Sequence, residues 1–450
     1  MINIDENFSQ NELRRQNPWW EQASIWPEDP QKNVRGIFPE IQKRVRQNDL
    51  ITAITGLRRV GKTTLLKQII NDLIATGEDR RRLLYFSFEE LTLSKSPDIL
   101  SEMIDRQLKN FPQGKLYFFL DEIQYVDFWN AVLKKYVDLY PRLKFVISGS
   151  SSLFIRTKAR ESLAGRIQEI FLPPLSFGEY LLIAYGQKLP MAGFLPEPEA
   201  LFDYREILKE KFIEYLYFGE FPYLAKLDGF AEKKEYVLDW VVGKILRQDL
   251  PELRRIVRGP EFANLGDVLI EGSGQLVELQ NLAADLGINR LTLSHYLSLL
   301  EESYLTKQIF NEAAGFRSRG RRQRKVYGTS VNAVALKTSG ASLLENFSLR
   351  SGQIVETFVA NYLQRFYPGR VLFWRYRQEK EVDFLVKRDA DIVPVEVKFQ
   401  PRIKKEDVEN LVYFCRKEKI GKAVIVTKEE AGIRDYPGLK IKLIPAHYLI

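Results

Sequence analysis

Short apolar runs alternate with stretches of helical periodicity through the first 175 residues. LITAIT (50–55), LLYFSF (83–88), KLYFFL (115–120), KFVISG (144–149) and RIQEIF (166–171) each read as a buried strand. KTTLLKQIINDLIATG (62–77) reads as a helix closed by Gly77. Strands alternating with helices predict an α/β fold with a parallel sheet. Ahead of it, GIFPEIQKRVRQ reads as a helix, and NPWWEQASIWPEDP carries three tryptophans between prolines. That aromatic arm is expected to pack on the first domain or on a neighbouring subunit.

The pattern then changes. Residues 176–257 are helix-rich, with apolar spacing in LFDYREILKEKFIEYLYFG and EYVLDWVVGKILRQDLPEL, and predict a lid and connector without a catalytic constellation. Residues 258–340 contain a short helix, a turn at Gly287, a second helix from about Arg290, and a strand. In residues 341–450, Ile354, Val355, Phe358, Val359, Tyr362, Leu363 and Phe366 share one helical face. KEVDFLVKRDADIVPVEVKFQ follows as two strands and a turn. The expected organisation is an arm (1–48), a first domain (49–175), a lid (176–257), a helix-turn-helix module (258–340) and a carboxyl domain (341–450).

With 450 residues, several cores are required rather than one. The apolar runs are strand-sized, far short of the roughly 20 residues of a membrane span. The polar amino terminus is unlike a secretory leader, so a cytoplasmic location without membrane partners is expected. One cysteine, Cys415, leaves no internal disulfide, and His295 and His447 leave no zinc spacing. Any metal would be held by carboxylates, which points to magnesium or manganese. The net charge of +8 favours an acidic partner such as nucleic acid.

The first strand and helix are joined by a loop in which Gly56, Gly61, Lys62 and Thr63 fit GxxxxGK[ST]. Glycines let backbone N–H groups curl around phosphate oxygens, and the helix N-terminus adds partial positive charge. Lys62 would reach the β and γ phosphates and Thr63 would ligate Mg2+. The cradle is expected to comprise Gly56, Leu57, Arg58, Arg59, Val60, Gly61, Lys62, Thr63 and Thr64. Arg58 and Arg59 are either phosphate contacts or partner-facing. The third strand ends in Asp121 and Glu122, the arrangement that delivers one carboxylate to the metal and another to the attacking water. Ser148, at the end of the fourth strand, is a candidate γ-phosphate sensor or part of a turn. Arg166 is either an arginine finger for a neighbouring site or a fold-stabilising arginine.

GLRRVGKTT, LDEI, SGSSS, ESLAGRI with LPPLSFGEY, and FGEFPYL, in this order, resemble the prokaryotic AAA-type ATPases that carry a restriction-endonuclease-like carboxyl domain. The resemblance implies ATP as the nucleotide, a sheet in the order 5-1-4-3-2, a helical lid and assembly into homo-oligomers. GEFPYL reads as a packing turn. KVYGTSV departs from the family pattern, which would place an aspartate near Thr329 or Ser330.

Residues 277–310 resemble a winged helix-turn-helix, a module that serves either DNA or protein partners. On the DNA reading Asn289, Arg290, Thr292, Ser294 and His295 include the groove-facing positions. The following FRSRGRRQRK places Arg317, Arg319, Arg321, Arg322, Arg324 and Lys325 together as a phosphate clamp; a solvated or protein-docking loop is the alternative. In the carboxyl hairpin, a tight turn at Asp389 and Ala390 would pair Asp383 with Glu396 and set Lys398 on the same face, with Glu356 approaching from the helix. The order E, D, ExK resembles the PD-(D/E)xK nucleases. That resemblance implies that Asp383, Glu396 and Glu356 serve Mg2+ and that Lys398 activates or orients water. The alternative is an inert Lys-carboxylate network in a domain that binds DNA or subunits.

Overall fold

The five apolar runs form β1 (Ile51–Thr55), β2 (Leu83–Ser87), β3 (Leu116–Asp121), β4 (Leu143–Gly149) and β5 (Ile167–Phe171). They pair in parallel in the order β2-β3-β4-β1-β5, which is the expected 5-1-4-3-2 read from the other edge. These coordinates are a computed structural model describing residues 6–21, 33–47, 49–89, 96–149, 163–190, 194–312, 323–337, 343–376, 379–388 and 391–450. Contacts divide the chain into two compact units, Met1–Pro173 and Pro174–Ile450. In the first, β1, β3 and β4 are buried along their whole length, as central strands covered on both faces must be. Phe118 on β3 stacks on Phe145 of β4 with ring centroids 5.2 Å apart.

The outer edge of β2 is covered by the amino-terminal arm. Asn17 follows the helix Glu6–Gln16, and its amide accepts from the Tyr85 N–H at 2.7 Å and donates to the Tyr85 carbonyl at 2.8 Å. Gln16 accepts from the Ser87 N–H, and the indoles of Trp19 and Trp20 both donate to the Leu83 carbonyl. A side chain thus completes the ladder where a neighbouring strand would lie, and the aromatic residues shield it. Trp26, the third tryptophan, lies outside the described residues.

The stretches read as lid, helix-turn-helix module and carboxyl domain are joined in the second unit. A short helix, Val331–Lys337, is buried from Val331 to Leu336. Its start is locked to the GEFPYL turn. Ser330 Oγ and the Asn332 N–H both donate to Glu220 Oε2, at 2.5 and 3.0 Å, and the Glu220 N–H donates to Asn332 Oδ1 at 2.9 Å. Asn332 Nδ2 also caps the helix Arg205–Phe218 through the carbonyls of Tyr215 and Leu216. Where the resemblance called for an aspartate, Ser330 and Asn332 instead satisfy a buried glutamate from elsewhere in the chain.

The hairpin β6 (Thr306–Phe310) and β7 (Arg324–Gly328) follows the helices Leu279–Asp285 and Arg290–Glu302. The helix Leu343–Phe366 then leads into β8 (Val371–Tyr376), β9 (Lys380–Arg388), β10 (Asp391–Lys398), β11 (Lys422–Thr427), β12 (Gly432–Tyr436) and β13 (Leu439–Pro445). Their order is β12-β13-β11-β10-β9-β8, with β10, β11 and β13 parallel and the rest antiparallel. The predicted apolar face of the long helix is buried except at Phe366, which is 39% exposed at its end. No helix among the described residues is long and apolar enough to cross a membrane.

Two outcomes follow from the buried polar contacts. Asn17→Ala leaves both backbone groups of Tyr85 without their edge partner and is expected to destabilise the first unit by about 1–3 kcal/mol, read by calorimetric unfolding. The Glu220 carboxyl is pushed up to about 7, chiefly by burial, against the pull of Ser330 and the Asn332 and Val331 N–H groups. A carboxyl whose pKa is higher folded than unfolded contributes fully below its unfolded value and loses that contribution as pH rises through the folded one. Stability should therefore fall between about pH 5 and 8, by on the order of 3 kcal/mol, in denaturant titrations, and Glu220→Gln should flatten the decline.

Candidate functional site

The loop after β1 is shaped by two glycines. Gly56 has φ of 154°, and a Cβ there would stand 2.3 Å from the Leu172 carbonyl oxygen; Gly61, with φ of 98°, immediately precedes the helix Lys62–Ala75. Lys62 is buried, and its ammonium donates to the carbonyls of Gly56 at 3.2 Å and Leu57 at 3.0 Å. Glu122 Oε1 lies 3.7 Å from the same ammonium. Thr63 Oγ1 donates to Asp121 Oδ2 at 2.5 Å, Tyr85 donates to that oxygen at 2.9 Å, and Ser148 donates to Oδ1. Lys62, Thr63, Asp121, Glu122 and Ser148, far apart in sequence, thus meet at the carboxyl ends of β1, β3 and β4.

Asp121 is 1% exposed. Burial and then the neighbouring Glu122 push its carboxyl above the ordinary range, while the hydroxyls of Ser148, Thr63 and Tyr85 pull it down. Glu122 sits in the left-handed region with φ of 53°, held by its N–H on Ser148 Oγ at 3.1 Å and by Gln124, which donates to its carboxylate. Ser148 is therefore the hinge between the two carboxylate residues. The Thr63 and Asp121 oxygens already touch, which is the donor chemistry a hard divalent cation takes.

The remaining loop residues divide. Arg58 is buried and ion-paired with Glu89, and Val60 is anchored through its carbonyl by Arg35 at 3.0 Å. Arg59 takes the left-handed conformation, with φ of 66°, and Thr64 is exposed. Arg166 forms a two-pronged pair with Asp138, at 2.6 and 3.2 Å, tying the helix Trp129–Leu139 to the turn before β5. Tyr85, Gln124, Arg35 and Glu89 were not singled out from the sequence. Only strand register, which sets Ser87 of β2 against Asp121, would have pointed to Tyr85.

In the second unit the β9–β10 register places Val395 opposite Phe384, one step short of Glu396 and Asp383. At that step the carboxylates take over backbone hydrogen bonding. The Asp383 N–H donates to Glu396 Oε2 at 3.3 Å, and the Val397 N–H donates to Asp383 Oδ2 at 2.8 Å. Lys398 pairs with Glu396 at 2.7 Å. Burial, then Glu396 and Glu356, push the Asp383 carboxyl well above the ordinary range, against Lys325 and Lys398.

Glu356 is held from another direction. Its Oε1 accepts from Lys325 Nζ at 3.2 Å and from the Tyr327 hydroxyl at 2.7 Å, both on β7. Lys325 also pairs with Glu381 at 2.6 Å, and Glu381 with Arg375 at 3.4 Å. Among the described residues, no three His, Cys, Asp or Glu side chains converge in a metal-holding group.

This corrects the sequence-based place of Lys325. Expected as an outward phosphate contact, it is 5% exposed and turned into the carboxylates, because the alternation of β7 sends it inward. Arg324, its neighbour, lies over the Phe310 ring and donates to Gln308. Arg317, Arg319, Arg321 and Arg322 lie outside the described residues. On the helix Arg290–Glu302, Arg290, Leu291, Ser294 and His295 are exposed and Thr292 is half-buried. Asn289 caps this helix through the Thr292 N–H at 2.8 Å, so its side-chain oxygen is already used.

Residues 48–181 match the family model of an AAA domain. Residues 209–331 and 351–449 match two domains of unknown function, DUF8612 and DUF4143. The chain is similar to an uncharacterized protein of Haemophilus influenzae, 26% identical over 396 residues that span 85% of this chain and 90% of that protein. It is also similar to the uncharacterized protein MJ1637 of Methanocaldococcus jannaschii, 27% identical over 405 residues, or 83% and 80% of the two. Among solved structures, the Walker-type ATPase PABY2304 of Pyrococcus abyssi aligns at 18% identity and a TM-score of 0.42, over 66% of this chain and 93% of that one. The matched family, with the loop and strand-end geometry above, makes the first unit an AAA-type P-loop ATPase domain.

A methyl group at Gly56 has only backbone to displace. Gly56→Ala should lower nucleotide affinity at least about tenfold and destabilise the first unit by on the order of 1–3 kcal/mol, read by fluorescent-nucleotide titration and thermal unfolding.

Proposed function

We propose that the chain is a magnesium-dependent ATPase whose nucleotide state controls DNA engagement by its second unit. The contact set at Asp121 carries this reading. Its two oxygens gather Thr63, Tyr85 and Ser148, while Glu122 waits 3.7 Å from Lys62. Magnesium, held by Thr63 and Asp121, would neutralise charge on the triphosphate. The loop N–H groups would bind phosphate oxygens, and Lys62 would exchange the Gly56 and Leu57 carbonyls for the β and γ phosphates. Glu122, released from Lys62, would orient the attacking water and accept its proton. Arg166 enters this scheme only as a second-rank finger for a neighbouring subunit, after giving up Asp138.

Support for DNA comes from the order of helices and the hairpin in residues 259–328, which is that of a winged helix, and from the outward row Arg290, Leu291, Ser294 and His295. For the carboxyl cluster, the set Glu356, Asp383 and Glu396 does not fit a divalent ion as placed. No cleavage step is therefore derived from it. The same observation favours a second reading, in which ATP controls oligomerisation or a protein partner and the carboxyl domain is a catalytically inert scaffold.

ATP turnover should fall at least about 100-fold in Lys62→Ala and Glu122→Gln, with nucleotide binding retained in Glu122→Gln. Duplex DNA affinity, followed by anisotropy across a salt series with and without ATP, should weaken in Arg290→Ala and lose about one unit of salt slope. Intact ATP turnover with no DNA binding under any condition would transfer the case to the protein-switch reading.

A further inference from the structure

We propose that Lys325 is the built-in cation of the carboxylate cluster and that its ammonium keeps a divalent metal ion away from Glu356. The inference rests on the nuclease-like reading of Glu356, Asp383, Glu396 and Lys398, and concerns how that site is regulated.

Three observations carry it. First, Glu356 Oε1 receives two donors, Lys325 at 3.2 Å and Tyr327 at 2.7 Å, which use both of its lone pairs. A metal ligated by that oxygen has to displace one of them. Second, Lys325 is held from the other side by Glu381 at 2.6 Å and is 7% exposed at its side chain, so it cannot swing into solvent while β7 keeps its place. A divalent ion bonded to Glu356 at about 2.0–2.6 Å would lie within a few ångströms of this ammonium, a like-charge contact in a poorly solvated site. Third, the cluster is close to charge balance without any metal. The carboxylates Glu356, Glu381, Asp383 and Glu396 face Lys325, Lys398 and Arg375. Removing Lys325 restores the excess of negative charge that a divalent ion answers.

The probe is Mn2+, titrated calorimetrically into the full chain without nucleotide. Wild type and Glu356→Gln should bind the same number of Mn2+ ions. Lys325→Gln should gain one further ion, at least tenfold tighter than any cluster binding in wild type, and Lys325→Gln/Glu356→Gln should lose it. A Mn2+ site present in wild type and lost in Glu356→Gln would overturn the proposal even if Lys325→Gln does not fold. So would a folded Lys325→Gln that gains nothing, or a gained ion that survives in the double variant. DNA cleavage separates this inference from the reading beneath it. Cleavage by wild type with Mn2+ on Glu356 sinks the inference and leaves the nuclease reading standing. A Lys325→Gln protein that binds Mn2+ at Glu356 and cleaves nothing does the reverse.

Discussion

A carboxylate buried at the end of a strand must find donors, and the ATPase unit is arranged around that demand at Asp121. Thr63 comes from the first turn of the helix Lys62–Ala75, Tyr85 from β2 and Ser148 from β4, so one side chain on β3 binds three other segments together. The same contacts that satisfy the burial cost also set the reaction geometry. Ser148 accepts the N–H of Glu122 while donating to Asp121, which fixes the angle between the two carboxylate residues. Stability and chemistry at this site therefore share their hydrogen bonds.

The second unit solves the same problem twice more. Glu220 is satisfied by Ser330 and the Asn332 N–H, and that lock ties the FGEFPYL turn to a helix more than a hundred residues later. Asp383 and Glu396 are satisfied by backbone N–H groups of each other's strands, so the hairpin substitutes side-chain bonds for ladder bonds at that step. The Glu220 lock joins the lid to the helix-turn-helix module, and Lys325 and Tyr327 on β7 join that module to Glu356 of the carboxyl piece.

The phosphate loop, the parallel strands and the Asp121–Glu122 strand end were legible in the sequence because each depends on local pattern: glycine spacing, apolar runs and a fixed βα rhythm; the strand order came only from the family resemblance. The contacts of Tyr85, Gln124 and Arg35 were not, since they follow from register and from side-chain direction in the folded sheet. Lys325 shows the limit most clearly. In a run of cations it reads as one more phosphate contact, but the period of two in β7 turns it inward, and only the folded arrangement supplies Glu356 and Glu381 as partners. Ser330 and Asn332 illustrate the converse, in which polar residues that departed from the expected pattern satisfy a buried carboxylate from a distant segment.

The arm on β2 bears on how this protein can be handled. A fragment beginning at residue 48, where the family match starts, would lack Asn17 and the two indoles and would present the Leu83–Ser87 backbone as an open template. Unpaired edge strands recruit strands from other chains, through edge-to-edge accretion of sheets into aggregates. The arm is therefore a protective cover for the ATPase fold, and trimming the protein to its recognisable core would convert a folded edge into a site of polymerisation.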